Sequence, residues 1–536
     1  MLANVVFAGG LLTNTNQSAQ FIRMMSRNAS YDIDAVYYNP AGIIKLEDGW
    51  HFAFHSQTIL QDRNVESKFP LLNDGKYVGE VTVPVFPTAF AVYKKENWAF
   101  SLGFGPNGGG GTADFERGLP SFEIPISKAV PGLAGLSAIN PSLAVTGYDA
   151  DLSFSGTSIF WGIQLGATYK ISDIFSVYGG VRYLPSKNIY QGTILNVQLE
   201  AGGQMNPAPA WLNGVAGQVN QIATVAYGGA QSVQPIIDGG GGSLTLNQLA
   251  AMEMITPAQK AQLEGGLKVL GVPQEQINAM NVNQIQGTYK GAGDQLTGTA
   301  AALEGTAGQL GDREVDTEQT GAGFTPMISV NISPNEDWNI GIKYEHKTYM
   351  TLTNNTKVDD LGLFPDKAKV NSDVPGILGI GVGYRGLKWV EAQFSYTQFF
   401  NKNVNWGANT RDMAVWKSVD PTQIRKREIE NNGYEAGLGF QFNLSEGFAV
   451  SLGGLYGDLG VADSYQSDFS YSNPSTTIGA GVMWKITNQL KLDAGVSNTF
   501  YQDQTVTFSD PDVPNYNDIY GKTALTFAVG LSYSIF

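Results

Sequence analysis

The chain has 536 residues, only 15% of them charged, with 65 Gly, 24 Tyr, 27 Phe and no Cys, and a net charge of −15 at pH 7. The acidic balance argues against a nucleic-acid partner, and the lack of Cys excludes a disulfide scaffold, thiol catalysis and Cys-based zinc or iron–sulfur sites. No apolar run reaches the roughly 18 residues that a spanning helix needs, so a membrane could be crossed only by strands.

At the start, Met1 to Ala8 has no basic flank and a short apolar stretch, which leaves open a removed signal's stump or an artificial start. Residues 1–48 lack alternation and close on Tyr37-Tyr38-Asn39-Pro40-Ala41-Gly42. After them, short segments of two-residue period follow one another to the C-terminus. They are expected near 49–59, 78–95, 97–106, 156–171, 173–198, 318–333, 336–354, 373–386, 387–402, 431–444, 446–458, 474–487, 489–508 and 521–536. In Leu378–Tyr384 one face is Leu, Ile, Val and Tyr and the other is Gly. Tyr434–Asn443 and the C-terminal segment repeat the pattern with Gly and small polar residues opposite the apolar face. That second face is too meagre for a water-facing surface and reads as a lumen, with the apolar face against lipid.

The connections alternate as well. Tight turns such as Lys94–Trp98, Ile171–Asp173, Arg385–Lys388 and Ile486–Gln489 are interleaved with long loops at 60–77, 107–155, 199–317, 355–372, 403–430, 459–473 and 509–520. Short inner turns and long outer loops are the mark of outer-membrane barrels. Trp98, Tyr169, Phe175, Trp338, Trp389, Phe448 and Trp484 sit beside the short turns, as a headgroup girdle would. Tyr349, Phe399, Phe400, Tyr456, Phe500 and Tyr501 supply the expected upper girdle. The terminal Phe536 suits the outer-membrane insertion machinery, although it falls one step off the lipid-facing series. The expected fold is an all-β transmembrane antiparallel barrel of about 14 strands, in the outer membrane of a Gram-negative bacterium. A barrel of this size leaves a pore unless something fills it, and residues 1–48 are the natural plug; residues 49–536 form the barrel, with an insertion over 199–317.

The third segment runs Gly103-Phe104-Gly105-Pro106-Asn107 into four glycines. Pro lacks a ladder amide and Gly marks bends, so pairing should fail there. Gly103, Gly105 and Gly108 also satisfy G-x-G-x-x-G, but without a following helix a nucleotide site is disfavoured. The outer loops are too apolar for a polar-solute porin: Leu119, Phe122 and Ile124 in one, Leu263, Leu267 and Leu270 in another. The latter follow Thr256-Pro257, a helix start, and a similar start precedes Ile277 and Met280; Gly239–Gly242 and Gly265-Gly266 are expected to break these helices. Apolar faces on outer loops pack on each other or form a capture groove. On the inward phase lie Arg182, Lys343, Glu345, Lys347, Glu391, Glu435, Lys491 and Asp493. They are expected to pair across the lumen, with Arg182 or Lys343 as the sharper candidates for a ligand carboxylate.

Catalysis finds no support. His51 and His55 share a strand face but stand about 13 Å apart, too far for one metal, and no Ser–His–acid set is apparent. Asp510-Pro511-Asp512 with Asn515, Asn517 and Asp518 lacks the EF-hand Gly and Glu and reads as a solvated turn. No cofactor, no catalytic residue and no metal site is expected.

The N-terminal pattern, with a Gly-rich start, Ser26-Arg27-Asn28-Ala29-Ser30, Asp34-Ala35 and then Asn39-Pro40-Ala41-Gly42, resembles the hatch of the FadL-type long-chain fatty-acid transporters, which include the toluene porins. The resemblance implies a fourteen-stranded barrel, an N-terminal hatch with an Asn-Pro-Ala motif, and a kink in the third strand that opens a lateral window facing that motif. It also implies hydrophobic small molecules as ligands, taken from outside by outer-loop helices, within a membrane of lipid and lipopolysaccharide. The long 199–317 loop is a departure. The expected activity is passive uptake of long-chain fatty acids or similar lipophiles. The alternatives are a non-transporting scaffold that binds a protein partner through the 199–317 loop, and a polar-solute porin.

Overall fold

The computed structural model describes residues 13–408, 429 and 431–536, so the Met1–Ala8 stretch and most of the 403–430 loop lie outside the described residues. The chain forms fourteen barrel strands: β1 (Gly49–Ser67), β2 (Lys76–Lys95), β3 (Trp98–Phe115), β4 (Val145–Lys170), β5 (Phe175–Ala201), β6 (Arg313–Ile332), β7 (Trp338–Glu345, resumed at Thr351–Asp359), β8 (Lys369–Ser372, resumed at Ile377–Leu387), β9 (Val390–Phe399, resumed at Trp406–Ala408), β10 (Gly433–Asn443), β11 (Phe448–Asp458), β12 (Ser475–Lys485), β13 (Leu490–Tyr501, resumed at Gln504–Phe508) and β14 (Tyr516–Ile535). Neighbours pair antiparallel, and β1 closes on β14 from Trp50↔Ile535 to Ser67↔Asp518. Closure leaves no strand at a free sheet edge, which is the condition for strands to cross hydrocarbon. The fourteen expected segments are these strands, and several run further outward than their apolar alternation does. Thus β1 reaches Ser67 rather than 59, and β14 starts at Tyr516 rather than 521.

Burial alternates along the strands in the sense opposite to that of a water-soluble protein. On β1, Trp50, Phe52 and Phe54 are exposed while His51, Ala53 and His55 are buried. On β14, Phe527, Val529, Leu531, Tyr533 and Ile535 face outward. Large apolar side chains on the outside of a closed sheet require a lipid solvent. Trp98, Tyr169, Trp338, Trp389, Phe448 and Trp484 are exposed beside the short turns, where an inner girdle belongs. The upper girdle needs correction. Tyr349 and Phe500 face out, but Phe399 is buried and Tyr501 lines an interior cavity. Their aromatic character is the same; only the phase of each strand end decides the side.

The chain divides into two compact units: one of Met1–Pro125, Leu152–Ile194 and Arg313–Phe536, the other of Ile126–Asp151 and Leu195–Asp312. The second is helical. Two long helices, α4 (Ala208–Ser232) and α7 (Val282–Gln309), pack together. The shorter α5 (Pro257–Val269) and α6 (Gln274–Ala279) lie between them in sequence. Thr256 caps α5 through a capping box with Gln259, as the Thr-Pro start predicts. Gly265-Gly266 does not break α5: a side chain on Gly266 would strike the Tyr289 hydroxyl, which donates to the Leu263 carbonyl at 2.6 Å. Glycine here permits close packing of α7 on α5, and Gly229 and Gly293 do the same for Tyr289 and Tyr227.

A charge placed on the lipid face tests this orientation. Leu452→Arg on β11, at an outward position 51% exposed, is expected to destabilise the barrel by about 2–4 kcal/mol near the midplane. The inward Thr499→Arg on β13, which faces open space in the lumen, is expected to leave the barrel inserted; urea unfolding in phospholipid vesicles compares the two.

Candidate functional site

The site is built from the N-terminal segment upward. Ser18 caps α1 (Ala19–Met24) by accepting from the Phe21 amide, and Met25 ends the helix in the left-handed region. The chain then turns through Asn28–Asp34 into α2 (Ala35–Tyr38) and a 3-10 turn over Pro40–Lys45. Nearly every side chain from Gln17 to Ile44 is buried. The segment is a hatch docked inside the barrel.

The inner wall is made of glycine where the hatch touches it. A Cβ on Gly439 or Gly453 would fall on the Met24 carbonyl oxygen, one on Gly479 on that of Ile22, and one on Gly437 on that of Met25. The small face of the alternation is therefore a bed for hatch backbone. Charges complete the docking. Arg23 pairs with Asp493 at 2.8 Å and donates to Gln441 at 2.7 Å, and Gln20 donates to the other Asp493 oxygen at 2.9 Å. Within the hatch, Arg27 holds Asp34 through two bonds of 2.7 and 2.8 Å, and Ser18 and Ser30 also donate to that carboxylate. Lys491 pairs with Asp32. The expectation that lumen charges pair strand to strand thus needs amendment, because Asp493 and Lys491 find their partners on the hatch. Burial by itself would raise the Asp34 carboxyl, but the Arg27 guanidinium outweighs it and holds the group below the usual carboxylate range.

The Asn-Pro-Ala corner sits at the inner ends of β4 to β7. Asn39 donates to the Ser30 carbonyl at 2.9 Å and to the Asn331 side chain at 2.7 Å. The carbonyls of Pro40 and Ala41 accept from Thr168 and Ser176, each at 2.8 Å. Gly42 donates its amide to Asn39, and a Cβ there would strike the Asn39 side chain.

The β2–β3 ladder holds from Lys95↔Trp98 to Ala89↔Phe104, is absent beyond, and resumes only at Val81↔Ala113. Gly103 and Phe104 are thus still paired, and the failure begins at Gly105 and runs through Pro106 and Asn107 to Thr112. On the other side β3 keeps β4, with irregularities between Pro106 and Gly108 and between Gly109 and Gly111. What meets the unpaired stretch is not the Asn-Pro-Ala corner but the start of the hatch. The Asn14 amide donates to the Asn107 carbonyl at 2.9 Å, its side chain to that of Gly109 at 2.6 Å, and Gln17 to that of Pro106 at 2.8 Å. Thr88 of β2 donates to the Gln17 carbonyl at 2.7 Å. Residues 14–17 are held from behind by Tyr37 and Tyr38, whose hydroxyls donate to the carbonyls of Asn14 and Thr15. The carbonyls freed by the broken ladder are satisfied by the hatch, as buried backbone requires.

Above the hatch lies a cavity of about 410 Å³. Phe21, Ile22 and Met25 form its floor, and Val81, Val83, Phe86 and Gly109–Gly111 carry its wall to the β2–β3 gap. Phe154, Phe469, Tyr471 and Tyr501 add rings, and Arg63, Lys522 and Glu435 add charge.

The other sequence candidates fall elsewhere. Arg182 and Lys343 are buried on one carboxylate, Glu345, at 2.6 and 2.7 Å, and both flank the Tyr37 ring. Leu119 and Phe122 are buried, and Ile124 is half-buried. Phe122, in α3 (Pro120–Ser127), packs edge-on against Phe154 and Phe469 and so backs the cavity without lining it. Leu263, Leu267 and Leu270 are taken up in the core of the helical unit with Leu249, Ile277 and Tyr289. Self-packing, and not an open groove, consumes those leucines. Sequence reasoning missed Asn14, Gln17, Arg63 and Lys522. The last two share the inward phase of His51 and of Ala524; Arg63 lies beyond the expected end of its segment at 59, whereas Lys522 falls inside the expected segment 521–536 and carries no signal there apart from its inward phase.

These features define a class: an outer-membrane-type β-barrel whose lumen is plugged by its own N-terminal segment, with a cavity above the plug and a break in the wall beside it. No protein-family model and no curated protein sequence matches the chain. Among solved structures it is similar to a Pseudomonas aeruginosa FadL homologue at 10% identity and a TM-score of 0.55, over 98% of this chain and 99% of that one. It is also similar to a deletion mutant of the monoaromatic hydrocarbon channel TodX at 11% identity and a TM-score of 0.52, over 97% and 99%. At these identities the likeness shows a common fold spanning almost the whole chain.

Two outcomes follow. Asp493→Ala leaves Arg23 buried and uncompensated, which costs about 3–5 kcal/mol; the hatch is expected to undock while the barrel persists, read as raised single-channel conductance in planar bilayers. Asp34, with its native pKa depressed, contributes stability that is complete above the unfolded carboxylate value of about 3.9 and is lost only as pH falls through the lower native value. Conductance is therefore expected to stay low at pH 5 and to rise only in stronger acid.

Proposed function

We propose that the chain is a FadL-type passive channel that carries hydrophobic compounds, long-chain fatty acids or similar lipophiles, across the outer membrane. The observation that carries this reading is the cavity that reaches the unpaired stretch of β2 and β3. A hydrophobic molecule entering from outside rests above the hatch, against Phe21, Ile22, Met25 and Phe86. It leaves sideways between β2 and β3 once Asn14 and Gln17 release the carbonyls of Pro106, Asn107 and Gly109. The lateral path avoids the hatch body, whose glycine bed and buried ion pairs make it costly to move. It also delivers the molecule into hydrocarbon, where an apolar solute is most soluble. The fold shared with a FadL homologue and a monoaromatic hydrocarbon channel supports the assignment.

The absence of native Cys allows a direct test. A Cβ on Gly111 would lie 2.7 Å from a Val83 methyl across the gap, so Val83→Cys with Gly111→Cys can bridge it. In cells lacking their own transporter, uptake of radiolabelled oleate is expected with the reduced pair, to vanish on oxidation and to return on reduction. Uptake that survives a complete cross-link rules out the lateral route.

A further inference from the structure

The charges of the barrel interior are nearly all neutralised in place: Arg23 by Asp493, Arg27 by Asp34, Lys491 by Asp32, Arg182 and Lys343 by Glu345, and Lys347 by Asp373. Arg63 and Lys522 differ. They are direct cross-strand partners where β1 closes on β14, and both line the cavity above the hatch. Like charges directly opposite on a sheet repel and destabilise it. Among the described residues neither has an ion pair, and the Arg63 Nε is buried with no hydrogen-bond partner.

Two tyrosines hold the pair in place. The Arg63 guanidinium stands 4.8 Å from the centre of the Tyr471 ring, and the Lys522 ammonium 4.7 Å from the same ring and 5.8 Å from that of Tyr501. Lys522 donates to the Tyr471 carbonyl at 2.7 Å, which leaves two of its three protons unengaged. Tyr471 is itself anchored, its hydroxyl donating to the Gly521 carbonyl at 2.9 Å. Nearby acids do not answer the charge. Asp62 is on the outward phase and accepts from Thr523, and Glu435 lies toward the hatch, accepting from Thr15 at 3.4 Å.

We propose that Arg63 and Lys522 form a head-group site for a monoanionic amphiphile, whose carboxylate bridges the guanidinium and the ammonium. Its apolar tail runs inward along Ile59 and Val83 toward Phe86 and the β2–β3 gap. Ile59 is four residues from Arg63 on the same strand face, about 13 Å inward, so an extended tail of that length reaches the gap while the head stays on the cations. The bound anion removes the cross-strand repulsion and occupies donors that are otherwise unmet. The site gives the channel a preference for lipophilic acids over neutral lipophiles, and rests on the transport reading above.

The test compares dodecanoic acid with dodecan-1-ol, which share a tail, on the protein in nanodiscs at pH 7.5 by calorimetry. The acid is expected to bind at least about tenfold more tightly, roughly 1.4 kcal/mol. Arg63→Gln with Lys522→Gln is expected to abolish that preference and leave the alcohol unchanged, which also reports an intact cavity. The exchange Arg63→Lys with Lys522→Arg is expected to keep it. Equal binding of acid and alcohol by the unaltered protein overturns the head-group site alone, as does a preference that survives the double Gln variant. Failure to bind either ligand, together with no oleate uptake by cells, overturns the channel reading and the site with it.

Discussion

The lower half of the barrel depends on one contact, the backbone of the hatch lying directly on a wall without side chains. The carbonyls of Ile22, Met24 and Met25 approach Gly437, Gly439, Gly453 and Gly479 so closely that a single methyl at any of them would collide. Interiors are close-packed, and a hatch of this thickness fits only because the inward positions of β10 to β12 that meet its backbone are glycine. The apolar residues needed for membrane stability occupy the alternate positions. One period of two thus serves two solvents, lipid outside and a protein plug inside. The buried pairs Arg23–Asp493 and Lys491–Asp32 then select the docked register, since a displaced hatch leaves charges without partners in a poorly solvated lumen.

The break between β2 and β3 belongs to the same economy of hydrogen bonds. Pro106 has no amide, and Gly109 and Gly110 adopt positive φ values of 63° and 125°, so β3 cannot present a regular edge to β2 there. The carbonyls left over lie against the start of the hatch. Asn14 and Gln17 supply the missing donors from inside. A wall opening and the peptide that covers it are therefore coupled. Removing the cover would leave those backbone acceptors without donors, a cost that keeps residues 14–17 in place.

Electrostatics divides the interior into two zones. Around the hatch, most charges are matched and serve to hold structure. Toward the outer end, Arg63 and Lys522 stand together on the closing seam with aromatic faces beside them and no acid opposite. Arg182 and Lys343, equally conspicuous on the inward phase, are silenced by Glu345. Charge type and strand phase alone do not distinguish a ligand cation from a structural one. The distinction lies in whether a carboxylate is within reach.

Much of the architecture was legible because it rests on local period. Alternation, the rhythm of short turns and long loops, and tryptophans beside the turns follow from a two-residue repeat in a lipid solvent, so the strand number and closure could be read in one dimension. The Thr256-Pro257 helix start is equally local. Where the reading failed, the deciding contacts were remote. Gly265-Gly266 looked like a helix break but serves the approach of Tyr289, more than twenty residues away. The window was expected opposite Asn39-Pro40-Ala41, yet that corner is claimed by Thr168, Ser176 and Asn331, and the gap is met by Asn14 and Gln17. Leu263 and Leu267, apolar enough for a capture surface, are spent on their own unit's core. Period determines which side of a strand a residue faces. Which side chain meets which across the lumen is set by closure of the barrel, and only the tertiary structure places residue 63 beside residue 522.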